Sequence, residues 1–327
     1  MFAGKASSRL GRAGVASVLC CAYAASVALS VFLSREGAAG SAIWTANGFL
    51  ASAIILLDGR WRIGVAAVCL VAQFTICRAA GDGWVLAANN AAIDGLESVA
   101  AGFLALRFCA VNARRLSLLT MTRVLMFALI PATVLASTLA ASMGSVFFHK
   151  DFGDLWVNWA TASGLGLIIV TPAVLLLSRF SQYRDFHRSF GETTVLLAGF
   201  ATLVAVICYE GELPLFFAVF PGLTFIAFRL GPPGAALAGF LVAIIALPMT
   251  LLGYGPAMLA KDYGMFGRTL MTEVFVVAAL FTGIATASAL ADQTRLRRLV
   301  IWRDQIARSA RLRARAAEDR ASRFAAE

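Results

Sequence analysis

Ten mostly apolar stretches, separated by short polar connectors, occupy the chain from Gly14 to Ala291. They are Gly14–Leu33, Ser41–Leu57, Ile63–Cys77, Trp84–Leu106, Val124–Phe148, Leu155–Leu177, Thr194–Tyr209, Leu213–Phe228, Pro233–Leu252 and Leu270–Ala291. Residues are 60% hydrophobic and 14% charged, against roughly 45–50% and about 25% in soluble domains. A soluble fold has too little interior for that much apolar surface. The composition therefore predicts an all-α, polytopic membrane bundle shielded by the lipid bilayer. A crossing needs about 20 residues, with a range near 17–25. Several stretches are shorter, so the expectation is eight to ten crossings, the short ones half-buried or re-entrant. Gly14–Leu33 exceeds the roughly 7–15 apolar residues of a signal peptide and reads as a retained span.

Lys and Arg set the expected orientation. With the amino terminus inside, the inner connectors before the tail hold Lys5, Arg9, Arg12, Arg60, Arg62, Arg107, Arg114, Arg115, Arg123, Arg179, Arg184, Arg188 and Arg229. The outer ones hold Arg35, Arg78, Lys150, Lys261 and Arg268, together with acids such as Asp151, Asp154, Glu210, Glu212 and Asp262. An even number of crossings, both termini cytoplasmic, satisfies this asymmetry. The expected division is a cytoplasmic segment 1–13, a membrane domain 14–291 and a cytoplasmic helix 292–327.

That final segment carries 10 Arg and 5 acidic residues, half of the net charge of +10. Leu296, Val300, Arg303, Ala307, Ala310, Ala314, Ala317, Ala321 and Phe324 recur at alternating intervals of four and three. This is a coiled-coil repeat, interrupted only by Arg303. A homodimeric stalk is predicted, the alternative being a basic helix on the membrane surface. An alanine seam buries little area, so the pairing is marginal, as suits a switch. Beside a span, basic residues point to lipid headgroups rather than nucleic acid.

Chemistry is sparse. The histidines, His149 and His187, fall on opposite sides, and no Walker or dinucleotide motif is present, so neither a catalytic site nor a bound cofactor is expected. Six scattered cysteines show no metal-ligand spacing, so no metal is expected either. Gly164, Gly166, Gly234 and Gly239 read as close-packing positions between helices. The informative residues are polar ones inside apolar stretches. Asn90, Asp94 and Glu97 share a helical face, and Glu273 lies near the outer end of the last span, with Arg78 and Arg268 as candidate partners. Intramembrane acids are costly and mark a wet cavity or a binding site, or else a hydrogen-bonded network that holds helices together. Trp156, Asn158, Trp159 and Ser163 in the sixth stretch, with Trp44 and Asn47 in the second, complete the candidate ligand-sensing set. Trp at an interface is also an ordinary membrane anchor.

Several segments together carry a family resemblance: Trp44-Thr-Ala-Asn-Gly48, Asp58-Gly-Arg-Trp-Arg62, Asp94-Gly-Leu-Glu97, Trp159 through Gly166 to Thr171-Pro172, and Phe220-Pro221 leading to Phe228-Arg-Leu-Gly-Pro-Pro-Gly234. Over roughly Gly14–Leu296 the chain resembles the bacterial membrane-associated sensor domains of the first MASE type. The resemblance implies a bacterial inner-membrane input module of two-component or cyclic-di-GMP signalling. Its output would be a PAS, histidine kinase or GGDEF module, in cis or in trans, and Arg320-Ala-Ser-Arg-Phe324 looks like a helix leading into a PAS domain. The chain departs from the family pattern in having Ala46-Asn47 after the first Trp, Asp94 where Asn is common, and Ala162-Ser163 where Gly-Asp is common. The competing expectation is a small-solute transporter or substrate-binding membrane subunit, with prolines 131, 172, 221 and 248 as gating breaks; a plain dimerising anchor is the third.

Overall fold

The computed structural model describes residues 9–36, 44–109, 111, 116–183, 186–210 and 213–326, and their side chains except at 9–10, 33–36, 148 and 313–326. Lys5, Arg114, Arg115, Arg184 and Glu212, and the side chains of Arg9, Arg35, Ala314, Ala317, Ala321 and Phe324, lie outside those limits. The helices are α1 (Arg9–Glu36), α2 (Ala46–Leu56), α3 (Gly59–Ala79), α4 (Trp84–Phe108), α5 (Leu118–Val124), a π-turn (Leu125–Leu129), α6 (Ile130–Phe148), α7 (Phe152–Ser178), α8 (Phe190–Tyr209), α9 (Val219–Leu251) and α10 (Met265–Ala326). No strand occurs among the described residues.

Seven helical segments are long and apolar enough to cross a membrane, as the composition requires. Three departures from the expected stretches have physical causes. The second stretch becomes α2, only 11 residues long and buried along almost its whole length. The fourth, α4, is 25 residues long, but Asp94, Glu97 and Arg107 keep it outside the seven. The eighth and ninth join in α9, whose helical path breaks at Gly231 (φ 65°, ψ −163°).

That break is a corner. Arg229, just before it, pairs with Glu192 in the first turn of α8, whereas Tyr254, just after α9, stacks on Tyr209 at the other end of α8 with ring centroids 5.9 Å apart. The two arms of α9 therefore run in opposite directions. Gly231 is forced by geometry: its positive φ suits glycine, and a Cβ there would lie 2.5 Å from Cγ of Phe186. Pro232 and Pro233 begin the second arm, where a missing N–H costs little.

With α2 as a half-length pass and α9 as two, the chain alternates between a basic end and a far end. The basic end is knitted together. Arg12 pairs with Asp58 at 3.2 Å, Arg179 donates to the carbonyl of Val111, Tyr183 donates to the carbonyl of Leu116, and Cys109 Sγ donates to the carbonyl of Arg123.

One buried apolar core runs from Ala51 and Ile55 of α2 through α4 to α9 and on to α10, where Val276, Leu280 and Ile284 are fully or almost fully buried. α10 lies against both arms of α9: Phe275 meets Phe220 edge-on at 5.8 Å, Thr272 meets Thr250 at 3.0 Å, and a Cβ on Gly239 would run into Leu280. α10 is a single helix of 62 residues, so the last span and the heptad segment are continuous. From Arg295 to Leu312 every residue is exposed; Leu296 and Val300 are 62% and 59% accessible. Ala307 and Ala310 are exposed too.

Candidate functional site

α2 begins halfway along α7. The N–H of Trp44 donates to the carbonyl of Ala162 at 2.9 Å, and a Cβ on Gly166 would collide with the Trp44 carbonyl and lie 2.9 Å from Thr45 Cα. Gly48, one turn on, abuts Val170 in the same way. Glycines at these positions let the two backbones touch. Helix α2 thus presents its amino-terminal turn, the positive end of its dipole, in mid-bundle.

Two carboxylates meet that turn. Asn47 Nδ2 lies 2.8 Å from Asp94 Oδ1, 2.8 Å from Glu97 Oε2 and 2.8 Å from Ser163 Oγ. Ser163 donates in turn to Glu97 Oε2, Thr133 donates to Glu97 Oε1 at 2.9 Å, and Gln73 Nε2 donates to Asp94 Oδ2 at 2.5 Å. Tyr23 on α1 donates to Gln73 Oε1. Side chains from α1, α2, α3, α4, α6 and α7 so converge on one buried polar hub. Asn47, Gln73 and Glu97 are wholly buried, and Asp94 and Ser163 nearly so.

The hub is not fully satisfied. The indole of Trp44 lies beside Asp94 and that of Trp159 beside Glu97, yet neither Nε1 is aligned for a hydrogen bond, and Asn47 Oδ1 is buried without a partner. Asn47 Nδ2 carries two hydrogens and faces three acceptors. Glu97 Oε2, which also receives the Ser163 hydroxyl, is the one that can do without them.

The other candidates are placed differently. Asn90 is half-buried, nearer the far end of α4. Trp156 donates to Thr138 Oγ1 at 3.2 Å, stitching α7 to α6, and the carbonyl of Asn158 accepts from Thr161 at 3.1 Å. Glu273 belongs to α10 and is buried, with Oε1 unpartnered. Neither arginine suggested as a partner reaches these acids: Arg78 lies over the Trp84 ring at 4.4 Å and bonds the Asp82 carbonyl, while Arg268 bonds the carbonyl of Ala260. Sequence reasoning passed over Tyr23, Gln73 and Thr133. Gln73 was detectable as the single amide in an apolar stretch.

No group of three or more His, Cys, Asp or Glu suited to a metal occurs among the described residues. What the arrangement can do is hold, release or exchange a proton or a small polar group between two carboxylates.

A model of the MASE1 family matches residues 13–301. Comparison with curated proteins and with solved structures returns no match.

Proposed function

Since the chain belongs to the MASE1 family, whose members are membrane-associated sensory input domains of signalling proteins, we propose that its stimulus acts on the hub around Asn47, Asp94 and Glu97, and that α10 passes the response to an output module. The choice of acceptors open to the Asn47 amide carries this reading. Two amide hydrogens can be placed among three acceptors at 2.8 Å, so the hub has alternative hydrogen-bond arrangements. A proton or polar ligand at either carboxylate selects among them, and a small differential affinity is enough to shift such an equilibrium.

The route outward is α7. Ser163 belongs to the hub, Gly166 touches the α2 entrance, and Leu167–Leu176 share a core with α9 and α10. The excess of Lys and Arg at the basic end supports placing that end, and both termini, in the cytoplasm of a bacterial inner membrane. The exposed heptad of α10 supports a homodimeric stalk that presents a PAS, histidine kinase or GGDEF module, in cis or in trans.

In a fusion of the chain to a reporter kinase, Asp94→Asn with Glu97→Gln is expected to lock the output at one level in intact cells. An output that still varies with growth conditions as in the unsubstituted fusion would refute the hub as the sensing element. One observation favours a second reading: half-length helices whose amino termini end on ions in mid-bundle are a transporter device. Solute accumulation by proteoliposomes containing the chain would establish that reading instead.

A further inference from the structure

The π-turn at Leu125–Leu129 opens a feature on the bundle surface, just before the helix that carries Thr133 of the hub. Pro131 has no N–H to give to the carbonyl of Phe127, and its ring crowds that carbonyl. The helix answers by widening for one turn, with the N–H of Ile130 reaching back to the carbonyl of Leu125. A groove of about 380 Å³ results, lined by Phe108, Phe127 and Pro131 and almost wholly apolar.

Its cytoplasmic rim is cationic. Arg107 lies with its guanidinium carbon 5.2 Å from the centre of the Phe108 ring. Arg123 precedes Phe127 by four residues, and its backbone carbonyl accepts from Cys109, the residue after Phe108. Both arginines are exposed, and among the described residues neither forms a salt bridge with a carboxylate. An apolar groove with exposed arginines of two helices close by in the chain, Arg107 and Arg123, matches one kind of molecule.

We propose that this groove binds an anionic phospholipid of the cytoplasmic leaflet, one acyl chain lying against Phe127 and Pro131 and the phosphate held between Arg107 and Arg123. Charge complementarity selects the headgroup, and the widened turn supplies the depth that a regular helix lacks. This inference does not depend on where the stimulus acts.

Native mass spectrometry of the detergent-purified full chain tests it, with phosphatidylglycerol and phosphatidylcholine of identical acyl chains as probes. The unsubstituted chain is expected to retain phosphatidylglycerol preferentially. Arg107→Gln or Arg123→Gln alone should lower that preference about fivefold, as one cation near a lipid surface contributes, and the double substitution should abolish it. Arg107→Lys with Arg123→Lys should keep it, and Arg295→Gln on the exposed part of α10 should leave it unchanged. Phe127→Leu should weaken retention of both lipids alike. Competition by inorganic phosphate should be negligible, since the chain contributes to binding.

Equal retention of the two lipids, a preference that survives the double substitution, or loss of retention with phosphate alone would each overturn the proposal. So would a change in dimer fraction, rather than lipid number, on substituting Phe127, because the groove would then be covered by a second copy of the chain. Should the double Gln variant fail to purify as a single species, the single Gln and double Lys variants decide the matter.

Discussion

Asp94 on α4 and Ser163 on α7 share one hydrogen-bond donor, the side-chain nitrogen of Asn47, which lies 2.8 Å from each. Both positions, like Asn47 itself, are among those at which the family resemblance marks a departure, with an acid where Asn is common and Ser where Asp is common. The structure brings both departures to one atom. An acid at either position would face the same amide, so the negative charge can change helices without leaving the hub.

Exchange of the two positions should therefore be tolerated. Ser163→Asp alone places a third carboxylate beside Glu97 and should destabilise the fold, and Asp94→Asn alone sets an amide donor against Asn47 and Gln73. The double variant Asp94→Asn with Ser163→Asp should recover stability beyond the sum of the single changes. The coupling should be about 0.5–3 kcal/mol, the range for residues in one network. A thermal or denaturant double-mutant cycle in detergent measures it; additive effects would contradict the shared donor.

The two buried acids of the hub and of α10 should respond oppositely to neutralisation. Glu97 accepts from Asn47, Ser163 and Thr133, so Glu97→Gln turns one acceptor into a donor facing donors and should cost about 1–3 kcal/mol. Glu273 has a buried oxygen without a partner, so Glu273→Gln should leave stability unchanged or raise it. Unfolding midpoints of the two variants, compared side by side, check the contrast.

Glycine contacts rank in the same assay. Gly166→Ala drives a methyl into the Trp44 backbone and should destabilise by about 1–3 kcal/mol, the usual cost of overpacking. Gly199→Ala, on α8 with open space around it, should be neutral or mildly stabilising. Gly231→Ala combines a positive φ with a clash against Phe186, so a compensating Phe186→Ala should restore only part of its loss.

A phase test addresses the stalk. Inserting seven residues after Leu312 of a reporter-kinase fusion keeps the heptad in register and should preserve output, whereas inserting four should invert or abolish it. Output that follows the number of inserted residues rather than their phase would argue for a surface-bound helix.

Much of this architecture was legible in the chain. Apolar stretches marked the helices, and Arg-rich connectors marked the end of the bundle where Arg12, Arg123 and Arg179 lie; even the reversal at Gly231 was visible as a break between Phe228 and Pro233. The helix at Asp94 and Glu97 stood out because acids in an apolar stretch need a reason. What local pattern could not convey was company. Gln73 and Tyr23 look ordinary until α1 and α3 fold against α4, and Glu273 resembles Asp94 in sequence although it packs in the other half of the bundle. The length of α2 was hidden for a related reason: its start is set by Gly166 of α7, a tertiary contact, rather than by a capping signal of its own.

α10 contains no proline along its 62 residues. Its embedded part, Met265–Ala291, measures roughly 40 Å, and its projecting part, Asp292–Ala326, roughly 52 Å at 1.5 Å per residue. Burial along it ends at Ala291, so a turn about that point makes it a lever of unequal arms. A tilt of about 5° moves the embedded end through about 3–4 Å and the distal tip through about 4–5 Å, close to the pitch of one helical turn, so a displacement in the bilayer interior reaches the far tip undiminished.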